Sequence, residues 1–116
     1  MNILKQQQIK MEKYNLDDMF KGWFIGNFEP TLYKTNDVEV GVKKYKAGDE
    51  EGYHHHKVAT EFTVILDGTV EMSGNTYTNG DIIKIQPGVS TNFKALTDVT
   101  TVVVKVPGAS NDKYID

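Results

Sequence analysis

The sequence predicts an all-β protein, an antiparallel sandwich or barrel. Two observations point there: roughly eight short alternating or β-branched runs separated by turn signals, and no convincing long helical period. A chain of 116 residues is the size of one domain with one core.

The elements follow in order. The first dozen or so residues are polar and Gln-rich, and residues 1–20 read as an N-terminal arm. Within it, "NLDDMFKGW" suits one short helical turn, with Asn15 as N-cap and Gly22 as the stop. "DVEVGVKKY" alternates Val38, Val40 and Val42 with Glu39, Gly41 and Lys43, which predicts a half-buried strand with the valines facing the core. "TEFTVILDGTVEMSGNTYT" predicts three strands with turns at Asp67-Gly68 and Gly74-Asn75. "NGDIIKIQPGVSTNF" and "VTTVVVKVPG" supply two further β-branched runs, each stopped by a Pro-Gly pair. The barrel is therefore placed at residues 21–106, and residues 107–116 are expected to form an irregular tail.

Composition excludes several functions. A net charge of −3 and the lack of a Lys-rich, aromatic-interleaved face argue against a nucleic-acid binder. Lys43, Lys44 and Lys46 form only a short cluster, read as a solvated strand edge. No cysteine is present, so disulfides, thiolate zinc sites and a Cys nucleophile are unavailable, and any metal must use N and O donors. Every cationic side chain apart from histidine is Lys, so the planar fork with which Arg grips phosphates and carboxylates is missing. No run approaches a membrane span and no secretory pattern opens the chain, so the expected location is cytoplasmic, with no membrane partner.

The chemistry concentrates in "GDEEGYHHHKVATEFTVILDG", residues 48–68. On a strand His54 and His56 share one face while His55 takes the other. Glu61 follows after "KVAT", a segment long enough to bend the chain back. If Glu61 faces inward, two imidazoles and one carboxylate meet, a set suited to Fe(II), Mn(II), Ni(II) or Zn(II) with positions open for water or substrate.

With its glycines the stretch reads Gly48-x5-His54-x-His56-x4-Glu61-x6-Gly68, which resembles the first sequence motif of the cupin superfamily at every defined position. The resemblance covers residues 30–106. It implies a double-stranded β-helix, a jelly-roll barrel holding a divalent metal on His54, His56 and Glu61. The family's second motif is matched in part: Gly80 and Gly88 stand in frame, Pro87 lies one place late, and Thr91 occupies the position of a fourth, histidine ligand. A threonine hydroxyl is a poor ligand and at best holds a metal-bound water. Three readings stay open: three protein ligands with more open positions, Asn92 or another residue in the missing role, or a pocket that has lost its metal and only binds.

Around this set, Tyr45, Tyr53 and Tyr77 are candidate hydrogen-bond donors or acids, against the commoner role of packing with one wet end. Trp23, Phe24 and Phe28 are expected to cover the barrel or a subunit contact, with a pocket roof as the alternative. The leading functional expectation is a small metal-dependent cupin acting on, or binding, a small polar organic molecule. One alternative is a metal-free sugar or sugar-nucleotide epimerase or isomerase, with His54 or His56 as base and Tyr45 or Tyr53 as acid. The other is a non-catalytic ligand-binding cupin. Exposed strand edges and the aromatic segment predict a homodimer.

Overall fold

The structure, a computed structural model, describes residues 10–116. The part of the expected arm over residues 1–9 lies outside them. Ten strands follow one short 3-10 turn at Leu16–Asp18: β1 (Trp23–Ile25), β2 (Glu39–Tyr45), β3 (Glu50–His55), β4 (Thr60–Asp67), β5 (Thr69–Met72), β6 (Asn75–Thr78), β7 (Ile82–Ile85), β8 (Thr91–Ala95), β9 (Val99–Val106) and β10 (Tyr114–Ile115). They form two five-stranded antiparallel sheets, ordered β1-β2-β9-β4-β7 and β10-β3-β8-β5-β6. This is the double-stranded β-helix that the motif implied. No helix among the described residues is long and apolar enough to cross a membrane.

Asn15 caps the 3-10 turn as expected, its Oδ1 accepting from Asp17 N–H at 2.8 Å, but the turn closes at Met19, before Gly22. The chain crosses from the first sheet to the second at Gly68, so Asp67-Gly68 joins strands of different sheets and is no hairpin turn. Gly68 has φ 103°, and a Cβ there would stand 2.3 Å from the Asp98 carbonyl oxygen, so only glycine fits. The β5–β6 hairpin turns at Ser73-Gly74, one residue before the expected pair, with φ of 49° and 81°. Two consecutive left-handed residues match the twist of the paired strands.

One end of the space between the sheets is filled by Ile65, Val70, Met72, Ile85, Phe93, Ala95 and Val99, with Tyr45, Tyr77 and Ile83 packed against them. Tyr77 thus takes the packing role. Ile65 is fully buried. Ile65→Val, which deletes one methylene there, is expected to cost about 0.5–1.5 kcal/mol, read as a lower denaturant midpoint at unchanged slope.

The valine face of β2 is a correction. Val38, Val40 and Val42 are only half-buried, whereas Gly41 is buried and Lys43 and Tyr45 enter the space between the sheets. Alternation names two faces, and the more apolar one is normally core. Here the interior at the level of β2 is a polar pocket, so the polar residues point in. Val40 and Val42 lie outside, beside Val104 and Val102 of β9, which in turn neighbour Phe62 and Val64 of β4, and Val38 precedes the strand. Of the lysine cluster, Lys44 and Lys46 are exposed beyond the stretch of β2 that pairs with β1, as a solvated edge requires, whereas Lys43 is half-buried and lines the pocket.

The tail is not irregular throughout. Tyr114 and Ile115 pair with His55 and His54 and extend the second sheet.

Candidate metal and ligand pocket

Beside the core the sheets part around a pocket of about 290 Å³. Met72 and Phe93 of the core line it, with Thr101 and Val103, and its polar lining includes His54, His56, Glu61 and Thr91. The sequence motif therefore converges on one cavity. His54 comes from the second sheet, Glu61 from the first, and His56 from the segment that joins them.

Hydrogen bonding suits both imidazoles to ligation. His54 Nδ1 lies 2.9 Å from the Gly52 carbonyl oxygen; donating there, it leaves Nε2 with a free lone pair. The two rings meet edge to face, with centroids 5.8 Å apart. His56 is buried, and its Nε2 has no hydrogen-bond partner among the described residues. Burial, then the Lys105 charge, lowers the His56 pKa to about 4, which keeps the ring neutral and its lone pair available near neutral pH. Glu61 accepts from the Thr63 hydroxyl at 3.1 Å. Among the described residues no three His, Asp or Glu side chains are drawn together closely enough to make a ready coordination set. The imidazoles fit a divalent metal, and Glu61 shares their cavity without being closed onto them.

His55 is turned to the other side of β3, as alternation requires. Its Nδ1 meets Asp116 Oδ1 at 2.8 Å, and its ring stacks on Tyr114 with centroids 5.4 Å apart. Tyr53 follows it outward: it is 48% exposed and takes no part in the pocket, which corrects its place among the candidates. Tyr45 does line the pocket and packs tilted against Phe93, with centroids 4.5 Å apart. Burial, with the Glu51 and Glu61 carboxylates, pushes its pKa well above the ordinary value, so it stays protonated with an O–H available to donate. Trp23 lines the pocket, which favours the roof alternative for that residue, while Phe24 and Phe28 do not.

Thr91 pairs with His54 across β3 and β8 and is buried. Its hydroxyl is already engaged, accepting from Ser73 Oγ and donating to the Asn92 carbonyl, both at 2.9 Å. Asn92 Oδ1 accepts from Ser73 N–H at 2.7 Å, a commitment that disfavours Asn92 as the substitute ligand.

Four pocket features escaped the sequence reading. Glu51 shares the pocket with His54 although they stand an odd three positions apart, because β3 bulges between the two. Gly52 inside the strand was the signal. Thr101 was passed over as an ordinary strand residue, and its Oγ1 is the other buried side-chain polar atom without a partner among the described residues. Lys21, Lys43, Lys105 and Lys113 also line the cavity. Finally, Asp112 holds the histidine segment from behind. Its buried carboxylate accepts from the N–H groups of Lys57 (2.9 Å), Val58 (3.1 Å) and Ala59 (2.9 Å), the residues directly after His56. Gly88 N–H donates to the His56 carbonyl at 2.6 Å from the other side, which gives the partial second motif a structural role.

No family model and no curated protein sequence matches the chain. Comparison of folds is informative. A double-stranded β-helix protein from Klebsiella pneumoniae superposes with a TM-score of 0.68 at 18% identity, over 93% of each chain. A protein containing a cupin-2 domain from Shewanella frigidimarina gives 0.56 at 14% identity, over 91% of this chain and 93% of that one. The DMSP lyase DddQ from Ruegeria pomeroyi gives 0.65 at 15% identity, over 93% of this chain and 61% of that one. The chain has the cupin fold.

Proposed function

We propose that this cupin-fold chain binds a divalent transition metal, Fe, Mn, Ni or Zn, through His54, His56 and Glu61, and acts on a small polar organic molecule beside it. The observation that carries the reading is His56 Nε2, buried and without a partner among the described residues, on a ring that lines the cavity shared with His54 and Glu61. A buried polar atom left unpaired is costly, and a metal ion satisfies it. The metal, when bound, supplies Lewis acidity toward the oxygen donors of the bound molecule. The chain's own groups do the rest. Tyr45 stays protonated and donates a hydrogen bond to a ligand oxygen, Thr101 offers a hydroxyl unengaged among the described residues, and Met72, Phe93 and Val103 exclude water from one side. Elemental analysis of untagged, chelator-free protein tests the reading: a stoichiometric divalent metal supports it, and metal-free protein that cannot be loaded removes it.

The metal-free isomerase is the weaker reading. His56, one of its two candidate bases, has its pKa lowered to about 4 and so has little driving force to take a proton near neutral pH. Tyr53, one of its proposed acids, is outside the pocket. A purely ligand-binding cupin differs from the enzyme only in turnover, which a metabolite panel measures. Solved neighbours of the fold include proteins described as a lyase and as an oxalate decarboxylase, which supports an enzyme.

The reading includes a cytoplasmic homodimer. The apolar outer rows Val40-Val104-Phe62 and Val42-Val102-Val64-Ile82 give a second copy a surface to cover, a better reason than Trp23, which belongs to the pocket. A monomer mass by light scattering at micromolar concentration removes that part.

Position 91 gives a separate test. Thr91→His puts an imidazole beside His54 and is expected to tighten metal binding about tenfold, by adding a strong neutral ligand to an N/O site. Thr91→Val is expected to leave affinity nearly unchanged. Anaerobic chelator competition compares the two.

A further inference from the structure

Metal ligation does not account for the charge of the pocket. Four lysines line it, Lys21, Lys43, Lys105 and Lys113, against two carboxylates, Glu51 and Glu61. The ion pairs among the described residues are Lys34–Glu29 and His55–Asp116, so none of the four pocket lysines is neutralised by a close carboxylate.

Two of the four are held in place around one ring. Lys43 Nζ donates to the Lys21 carbonyl at 3.0 Å and stands 5.4 Å from the centre of the Trp23 ring. Lys105 Nζ, arriving from β9, stands 5.0 Å from the same centre. The arrangement depends on Gly41: a Cβ there would approach Trp23 Cε3 to 2.7 Å, so the bare backbone of β2 lets the indole lie against it. Like charges gathered in a half-buried space repel, and that repulsion persists unless an anion enters. Burial foremost lowers the Lys43 pKa; the Glu51 charge opposes it, and the Lys21, Lys105 and Lys113 charges add to the lowering.

We infer that the pocket takes a small organic acid, its carboxylate held by Lys43 and Lys105 beside Trp23 and the rest of the molecule reaching toward His54, His56 and Glu61. The size agrees: about 290 Å³ lies at the lower end of small-molecule pockets, which run from about 300 Å³ upward, too small for a nucleotide or a polymer. The donors agree as well. Phosphate sites draw on Arg forks, helix N-termini or glycine-rich amide cradles, and none of these lines this cavity, whereas two ammonium groups suffice for one carboxylate. This inference rests on the small-molecule reading of the pocket and is independent of whether a metal is bound.

Trp23 is the chain's one tryptophan, so its fluorescence reports directly on the place in question. Chelator-treated full-length protein is titrated at constant ionic strength with succinate, with succinamide and with inorganic phosphate. Succinate is expected to give a saturable change and succinamide none. Lys43→Met and Lys105→Met are each expected to weaken succinate binding about tenfold or more, the value of one charge-assisted contact. Lys44→Met, exposed and outside this cavity, is expected to leave it unchanged. Calorimetry supplies the constants where a variant alters the emission itself. The inference is overturned by no saturable response to succinate, by an equal response to succinamide, by phosphate binding more tightly than succinate, or by equal weakening in Lys44→Met. A metal titration on the same preparation separates the readings: metal binding without a succinate response removes the organic acid alone, and a succinate response without metal binding removes the metal alone.

Discussion

His56→Ala and His54→Ala are expected to weaken divalent-metal binding about a hundredfold or more, and His55→Ala to leave it within about twofold of the parent protein. The contrast follows from three consecutive histidines with different surroundings. His54 and His56 line one cavity, each with an imidazole nitrogen left free, whereas His55 is tied to Asp116 and stacked on Tyr114 on the other side of the strand. Glu61→Gln is expected to fall between the two, at about tenfold, because a carboxylate contributes charge that an amide lacks and because Glu61 stands across the sheets from the histidines. Chelator competition under anaerobic conditions measures all four. Unchanged thermal midpoints are needed for His56→Ala in particular, since the ring is buried and its removal leaves a void. Equal loss in all four variants contradicts the orientation of β3, and retention in all four contradicts metal binding at this pocket.

The motif was legible because its chemistry is local. Gly48, His54, His56, Glu61 and Gly68 fall in and directly around β3, the bend after it and β4, so the resemblance of their spacing to the cupin motif implied a shared pocket. Strand alternation also sent His55 the right way. It failed where the interior is not apolar. On β2 the valines were assigned to the core and Lys43 to solvent, and the reverse holds because a pocket, not packed side chains, occupies that level. It failed again at Glu51, where a bulge adds one residue and brings back to the pocket a side chain that strict alternation sends away. The lysines could not be read as a group: Lys21, Lys43, Lys105 and Lys113 come from four separate parts of the chain, and only the closed barrel gathers them. The residue that holds the histidine segment, Asp112, was invisible for the same reason. It acts on Lys57 from 55 positions away, out of a stretch with no periodicity to mark it.

Asp112→Ala is expected to destabilise the protein by about 3 kcal/mol and to loosen the metal site with it. The carboxylate receives three successive backbone N–H groups, of Lys57, Val58 and Ala59, and Ala59 is itself buried. Hydrogen bonds to a charged acceptor contribute about 1.5–3 kcal/mol each, and buried donors left without a partner cost more than the bonds alone. Asp112→Asn keeps an acceptor oxygen for part of this set and is expected to cost roughly half as much, which separates lost acceptors from lost volume. The pH dependence has a definite sign. Burial pushes the Asp112 pKa up, but the bonds from Ala59, Lys57 and Val58 together outweigh it, and the pKa is held below its ordinary value of 3.8. A carboxyl with a depressed folded pKa contributes stability above its unfolded value and loses it as pH falls through the folded one. The parent protein should therefore lose stability below about pH 3.8 more steeply than Asp112→Ala, as seen in denaturant midpoints across that range. At neutral pH the variant tests the link to the site. With its following residues released, His56 is no longer held between Asp112 and Gly88, and metal affinity should fall about tenfold although no ligand has been removed. A variant that loses stability but binds metal as tightly as the parent would show that the histidine segment keeps its place without this anchor.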